Sequence, residues 1–370
     1  MFTSMQKISI FWTSATLAAL LMLYWLFPGS SVTNFSDSAL GQETQTVIGT
    51  YDGDRVHCFK MAHADECLKP ARNRNLEINI LWLGNSQLHA INQRKLEDLP
   101  ASSIAAAALR AHDTDLLTFS QPNANLAEHW ILYEALAAIN KFDVLVLPVV
   151  FDDMREQRIR REISAVLTDS IVANRMQEYD IGREMLQISV PVEKDGRPLS
   201  LQQRSERWIT AVLDECCGWE MLRSQARGAT SIFIYNLRNY VFGINASSIR
   251  RIIPAAYNRN IAALDVIFEA AKHHGTKMII YIPPLRPDAP APYDPREYAS
   301  FLVDVAALAE RHGVQLHDFE NLVPGPLWGL KDSTIIGGGA ELDFMHFQGG
   351  GHALLADRVY DVILETINDI

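Results

Sequence analysis

Positive charge is scarce in this 370-residue chain: 33 lysines and arginines face 44 aspartates and glutamates, for a formal net charge of −11. Nucleic-acid binders concentrate positive charge against phosphate, and no basic cluster stands out here, so nucleic acid is set aside as a partner. Phosphate loops are missing too. A dinucleotide site needs Gly-x-Gly-x-x-Gly after its first strand, whereas Leu83-Gly84-Asn85-Ser86-Gln87-Leu88 offers one glycine. No repeat of about 20 to 50 residues is apparent. With 48% hydrophobic residues the chain is not disordered, and its length suits one large α/β domain with an insertion or two ordinary domains.

Charge is wholly absent from residues 8–27, ISIFWTSATLAALLMLYWLF. As a helix, roughly 20 such positions cross about 30 Å of hydrocarbon, and Tyr24 and Trp25 suit an interface. Lys7 is the one basic residue before this span and Arg55 the next after it, which puts the N-terminus in the cytoplasm and the rest outside. Residues 1–27 are therefore expected to be a signal anchor, single-pass in the cytoplasmic membrane. A cleaved signal peptide competes, but Leu26-Phe27-Pro28 does not fit a small-x-small site. Residues 28–50 are rich in Ser, Thr and Gly and read as a tether, so that 28–75 holds the tether and a short loop between Cys58 and Cys67. Outside the cytoplasm a Cys58–Cys67 disulfide is the default, with zinc held by these cysteines, His57 and His63 as the alternative. Cys216 and Cys217 are adjacent, and three connectivities of the four cysteines stay open.

From Leu76 onward short apolar runs alternate with amphipathic segments. Residues 78–83, 103–109, 144–150, 277–282 and 314–319 read as buried strands; 87–98, 124–140, 258–274, 295–312 and 350–368 read as helices. That alternation predicts a three-layer, doubly wound parallel α/β sheet over 76–370. A mostly helical insertion interrupts it at about 155–255, as a cap, a partner surface or a solvated excursion.

Such sheets place their sites at the carboxyl ends of strands. Ser86 follows the first strand, where a hydroxyl can face the crevice and helical N–H groups can favour a developing anion. It also has the chemistry of a helix cap, as does Asn85. Near the other end Asp343 and His346 lie three apart, expected in a loop before the last helix. An imidazole needs a carboxylate to fix its tautomer and stabilise its protonated form, and Asp-x-x-His can supply both from one segment. His89, three residues after Ser86, is read as a polar residue on the same helical surface that could assist.

Gly84-Asn85-Ser86 and Asp343-Phe344-Met345-His346 together resemble the first and last blocks of the SGNH/GDSL hydrolase superfamily, over roughly 76–368 without the insertion. The resemblance implies the flavodoxin-like SGNH fold and a Ser86, His346 and Asp343 triad. Asn stands at 85 where the family has Asp. The second-block glycine, whose backbone N–H meets the oxyanion, is replaced in Gln121-Pro122-Asn123-Ala124-Asn125, and Asn123 is the candidate stand-in because asparagine tolerates left-handed dihedrals. The third-block asparagine is displaced by Phe151-Asp152-Asp153. A carboxylate there repels an oxyanion unless it is protonated or turned into other bonds, for instance toward Arg155, so Asp152 and Asp153 are expected to bind acceptor or substrate, or activity is weak.

With an anchor added, the chain is similar to single-pass, outward-facing SGNH proteins of cell-envelope polymer acylation, such as those of D-alanyl transfer and alginate O-acetylation. That similarity implies an extracytoplasmic acyltransferase or esterase acting on O-acyl groups of a surface polysaccharide, without metal or organic cofactor. Its partners would be an acylated glycan or acyl donor and a membrane-bound O-acyltransferase. A tethered hydrolase of small esters, and an inactive anchor that binds glycan or a partner, are the other two readings.

Overall fold

A computed structural model of the chain describes residues 43–189 and 239–368, apart from 75, 158 and 334–337. The expected anchor at 8–27, most of the tether, residues 190–238 of the insertion and both Cys216 and Cys217 lie outside the described residues. Among those described, no helix is long and apolar enough to cross a membrane.

The strands are β1 Thr44–Thr46, β2 Thr50–Tyr51, β3 Asp54–Arg55, β4 His57–Cys58, β5 Ile78–Gly84, β6 Ala90–Asn92, β7 Thr114–Ser120, β8 Val144–Pro148, β9 Lys277–Ile282, β10 Leu316–Asp318, β11 Trp328–Lys331 and β12 Glu341–Phe347. The helices are α1 Ala64–Arg74, α2 Ala101–Leu109, α3 Leu126–Ala137, α4 Arg161–Ser164, α5 Ser170–Gln177, α6 Asp180–Ser189, α7 Pro254–His274, α8 Pro295–His312 and α9 Gly349–Ile367.

Six strands form one parallel sheet in the order β10-β9-β8-β5-β7-β4. Alternate side chains enter two cores. Leu81, Leu83, Leu117, Phe119, Leu145 and Leu147 join α3, α7 and α8 on one face; Ile80, Trp82, Leu116, Val144 and Val146 join α2 and α9 on the other. The result is the expected three-layer α/β arrangement. Because β7 lies on one side of β5 and β8 on the other, strand order reverses between β5 and β8. Open α/β sheets leave their crevice at that point, beyond the carboxyl ends.

Two expected elements change type. SIAAAAL (103–109) is helix α2, not a strand; alanine is the best helix former, and a buried all-apolar run has the same look in either state. The second strand is instead β7, TDLLTFS, buried along its whole length. Its polar residues hide it from an apolar-run criterion, yet Asp115 is ion-paired to Arg74 and Arg110. The helix expected over 87–98 is a single 3-10 turn, Ser86–Leu88, followed by strand β6. β6 pairs antiparallel with β1, so the chain joins the fold ahead of the expected start at 76, and β4 even enters the main sheet beside β7. Long-range pairing with an upstream segment is invisible to local periodicity.

Candidate active site

β5 delivers the chain to the crevice through Gly84, where a Cβ would stand 2.3 Å from Leu88 Cδ1. A glycine there lets the turn close tightly under the strand. Asn85 then caps the 3-10 turn, its side-chain oxygen accepting the Gln87 N–H at 3.0 Å. With that cap in place the Ser86 hydroxyl is left for another partner. It lies 2.9 Å from His346 Nε2, and Ser86 is 5% exposed.

His346 and Asp343 sit on β12 rather than in the expected loop. The pairing of β12 with β11 jumps from Leu342–Leu330 to Phe347–Trp328, so residues 343–346 bulge out of the ladder. The bulge is closed by Asp343 itself. Its Oδ1 accepts the backbone N–H groups of Met345 (2.8 Å) and His346 (3.0 Å), while Oδ2 lies 3.0 Å from His346 Nδ1. Burial pushes the Asp343 carboxyl up, but attraction to His346 and these donated bonds outweigh it and hold the group well below the usual carboxylate range. An ionised Asp343 accepts from Nδ1–H, which leaves Nε2 bare toward Ser86.

Side chains without any sequence motif fix this line of three residues. Asn92, at the end of β6, donates from Nδ2 to Asp343 Oδ2 at 3.2 Å. Gln87 donates from Nε2 to the carbonyls of Pro284 and Met345, both at 3.2 Å, and so joins the serine turn to the histidine segment. Buried Arg286 donates from Nη1 to the carbonyls of Gly329 (2.6 Å) and Asp343 (3.2 Å). Only their burial distinguishes these residues, and burial is not readable for a lone polar side chain.

No family model matches the chain, and no curated protein does. Solved structures similar to it include an alpha/beta hydrolase enzyme from the metagenome of Lake Arreo, Spain, 11% identical, with 76% of this chain and 93% of that one covered at a TM-score of 0.37. The chemistry is therefore read from side-chain geometry alone.

The other expected site residues fare differently. Asn123 adopts φ 51° in the turn after β7, the left-handed region that favours asparagine among non-glycine residues. Arg160 holds that turn, donating to Gln121 Oε1 at 2.8 Å and to the Pro122 carbonyl. Asp152 is bonded by Arg250, Arg155 and Tyr293. Asp153 is buried, accepts from Asn85 Nδ2 at 3.0 Å, and has its carboxyl pushed well above the usual range by burial, with neighbouring Asp152 adding to the shift and the Asn85 bond opposing it. His89 is no helix-surface residue. It is buried, with Nδ1 2.6 Å from Ser120 Oγ, and Ser120 in turn lies 2.6 Å from His57 Nε2. Burial holds both imidazoles far down, so they are neutral.

Cys58 and Cys67 form a disulfide. His57 turns instead to Ser102 and Ser120, and His63 to Glu66. Among the described residues no group of His, Cys, Asp and Glu side chains is arranged to hold a metal ion.

What the arrangement can do follows from the atoms. A buried hydroxyl bonded to an imidazole whose far nitrogen is held by an ionised carboxylate has the chemistry needed for a nucleophile with a general base beside it.

Proposed function

We propose that the chain is an SGNH-type serine acyltransferase or esterase acting outside the cytoplasm on O-acyl groups of a cell-surface polysaccharide. One observation carries the reading: the unbroken line of bonds from Ser86 Oγ through His346 to Asp343, at 2.9 and 3.0 Å, between residues 260 positions apart. In this reading Ser86 Oγ attacks the acyl carbonyl carbon while His346 Nε2 takes the hydroxyl proton. The tetrahedral intermediate expels the donor's alcohol, which leaves with that proton, and an acyl ester remains on Ser86. A glycan hydroxyl or water then gives its proton to His346 and attacks the ester, and the second tetrahedral intermediate expels Ser86 Oγ, which takes that proton back from His346. Asp343 holds the imidazolium in place throughout. The backbone N–H groups of Ser86 and Asn123 are assigned to the oxyanion. Neither step requires a metal or an organic cofactor.

Location and acceptor rest on the uncharged segment at 8–27 and on the sequence resemblance. A membrane-bound O-acyltransferase as acyl source belongs to the same reading. The test is hydrolysis of a chromogenic acetyl ester, followed by the same assay with an added acetylatable oligosaccharide. Hydrolysis that Ser86→Ala abolishes, with acetyl moved to the sugar, supports acyl transfer. Hydrolysis alone leaves an esterase, and wild-type protein without either activity contradicts the proposal in favour of a non-catalytic binding protein.

A further inference from the structure

Two adjacent aspartates follow β8, and the fold treats them in opposite ways. Asp152 is paired with two cations: Arg155 and Arg250 take its two oxygens, and Tyr293 adds a hydroxyl. Asp153 is given none. It is 3% exposed, makes no ion pair with any described residue, and receives one side-chain bond, from Asn85 Nδ2 to Oδ2 at 3.0 Å. The charged groups that face it are Asp152 and Glu156 of its own segment and Arg160 beyond it. Arg160 is already engaged by Glu128, Gln121 and Pro122. A carboxylate in that setting would be a buried charge with a single amide donor, which is costly to maintain.

Asn85 binds this chemistry to the reacting serine. Its amide oxygen takes the Gln87 N–H and its amide nitrogen gives to Asp153, so both ends of the side chain are fixed one residue before Ser86. A negative charge on Asp153, one hydrogen bond away from the residue that precedes Ser86, would oppose an anion developing at the acyl oxygen.

We propose that Asp153 is a positioning residue that works as a neutral carboxylic acid, accepting the Asn85 amide on one oxygen, keeping its proton on the other, and so holding the Ser86 turn without placing charge beside the oxyanion. The role rests on the acyl-transfer reading given above. Burial, which pushes this carboxyl up, acts in the same direction. Deprotonation then becomes a brake: as pH rises through the Asp153 value, reaction at Ser86 slows, independently of His346, which must be unprotonated to act.

The test uses the full-length protein and two readouts. Infrared difference spectra between wild type and Asp153→Asn report protonation directly, and the rate of Ser86 labelling by a fluorophosphonate probe across pH reports function. Asparagine supplies the same acceptor and a donor without charge. Expected are a protonated-carboxyl carbonyl band assigned to Asp153 at pH 7, an alkaline decline in labelling for wild type, and loss of that decline in Asp153→Asn. Asp153→Leu should slow labelling about tenfold or more, as for one lost hydrogen bond at the site. Carboxylate bands at pH 7 with normal wild-type labelling, or an alkaline decline that persists in Asp153→Asn, would overturn the inference alone. Absence of wild-type labelling would overturn the acyl-transfer reading and the inference with it.

Discussion

Asp343→Asn is the substitution whose effect the geometry determines most fully. In the native site each carboxylate oxygen accepts two donors: the Met345 and His346 N–H groups on Oδ1, and His346 Nδ1 and Asn92 Nδ2 on Oδ2. An asparagine has one acceptor and one donor end. With its oxygen kept toward the two backbone N–H groups, its NH2 meets the Asn92 amide donor to donor and forces His346 to accept at Nδ1. The imidazole proton then moves to Nε2, where it faces Ser86 Oγ and blocks general-base action. Flipping the amide instead aims NH2 at both backbone N–H groups, which is worse. The lost charge-assisted bonds are worth about 1.5 to 3 kcal/mol each before relaxation, so a modest fall in melting temperature should accompany the change. Activity should fall much further, about a thousandfold or more, because the wrong tautomer disables the base altogether. Steady-state hydrolysis of a chromogenic acetyl ester measures the rate, and circular dichroism shows that the fold survives. Activity within tenfold of wild type would refute the tautomer argument.

Acid should weaken the fold early, because His57, His129 and His352 are buried and pushed down to about 3. Their folded values lie below the unfolded value near 6.5, so the stability they contribute is full above that pH and drains away as pH falls toward 3, at about 1.4 kcal/mol per unit for each histidine. Urea midpoints at pH 8, 6 and 5 check this, and identical midpoints at 8 and 5 would count against it. Replacing Cys58 and Cys67 by alanine opens a loop of sequence separation 9 and should remove about 2 to 3 kcal/mol by loop-closure entropy; an unchanged denaturation midpoint would show that the bridge contributes nothing. Full-length protein should stay with membranes after a high-salt wash, as the segment at 8–27 implies. Its appearance in the soluble fraction at lower mass would mean that the segment is cleaved.

Local pattern made much of this molecule legible. The strands at 78–83, 144–150 and 277–282 and the helices at 258–274 and 295–312 were readable because buried parallel strands are continuous apolar runs and surface helices carry an apolar stripe. Ser86 and the Asp343–His346 pair stood out by residue type and spacing, and the fold brings all three together. What pattern could not supply was everything decided by a distant partner. β7 carries a buried Asp115 because Arg74, 41 positions away, pairs with it alongside nearby Arg110. Residues 90–92 pair with 44–46, so a helix-like spacing became a strand. Asn92, Gln87 and Arg286 support the site through bonds spanning 251, 258 and 57 positions. Asp152 and Asp153 look alike in sequence; only the fold gives one its arginines and leaves the other with an amide.

The most direct test of the central claim is to trap the acyl-enzyme. Protein mixed briefly with an activated acetyl ester, quenched in acid and digested, should carry one acetyl group on the peptide containing Ser86, and none in Ser86→Ala. Undiminished ester turnover in Ser86→Ala, or an acetyl group found only on another residue, would contradict the account.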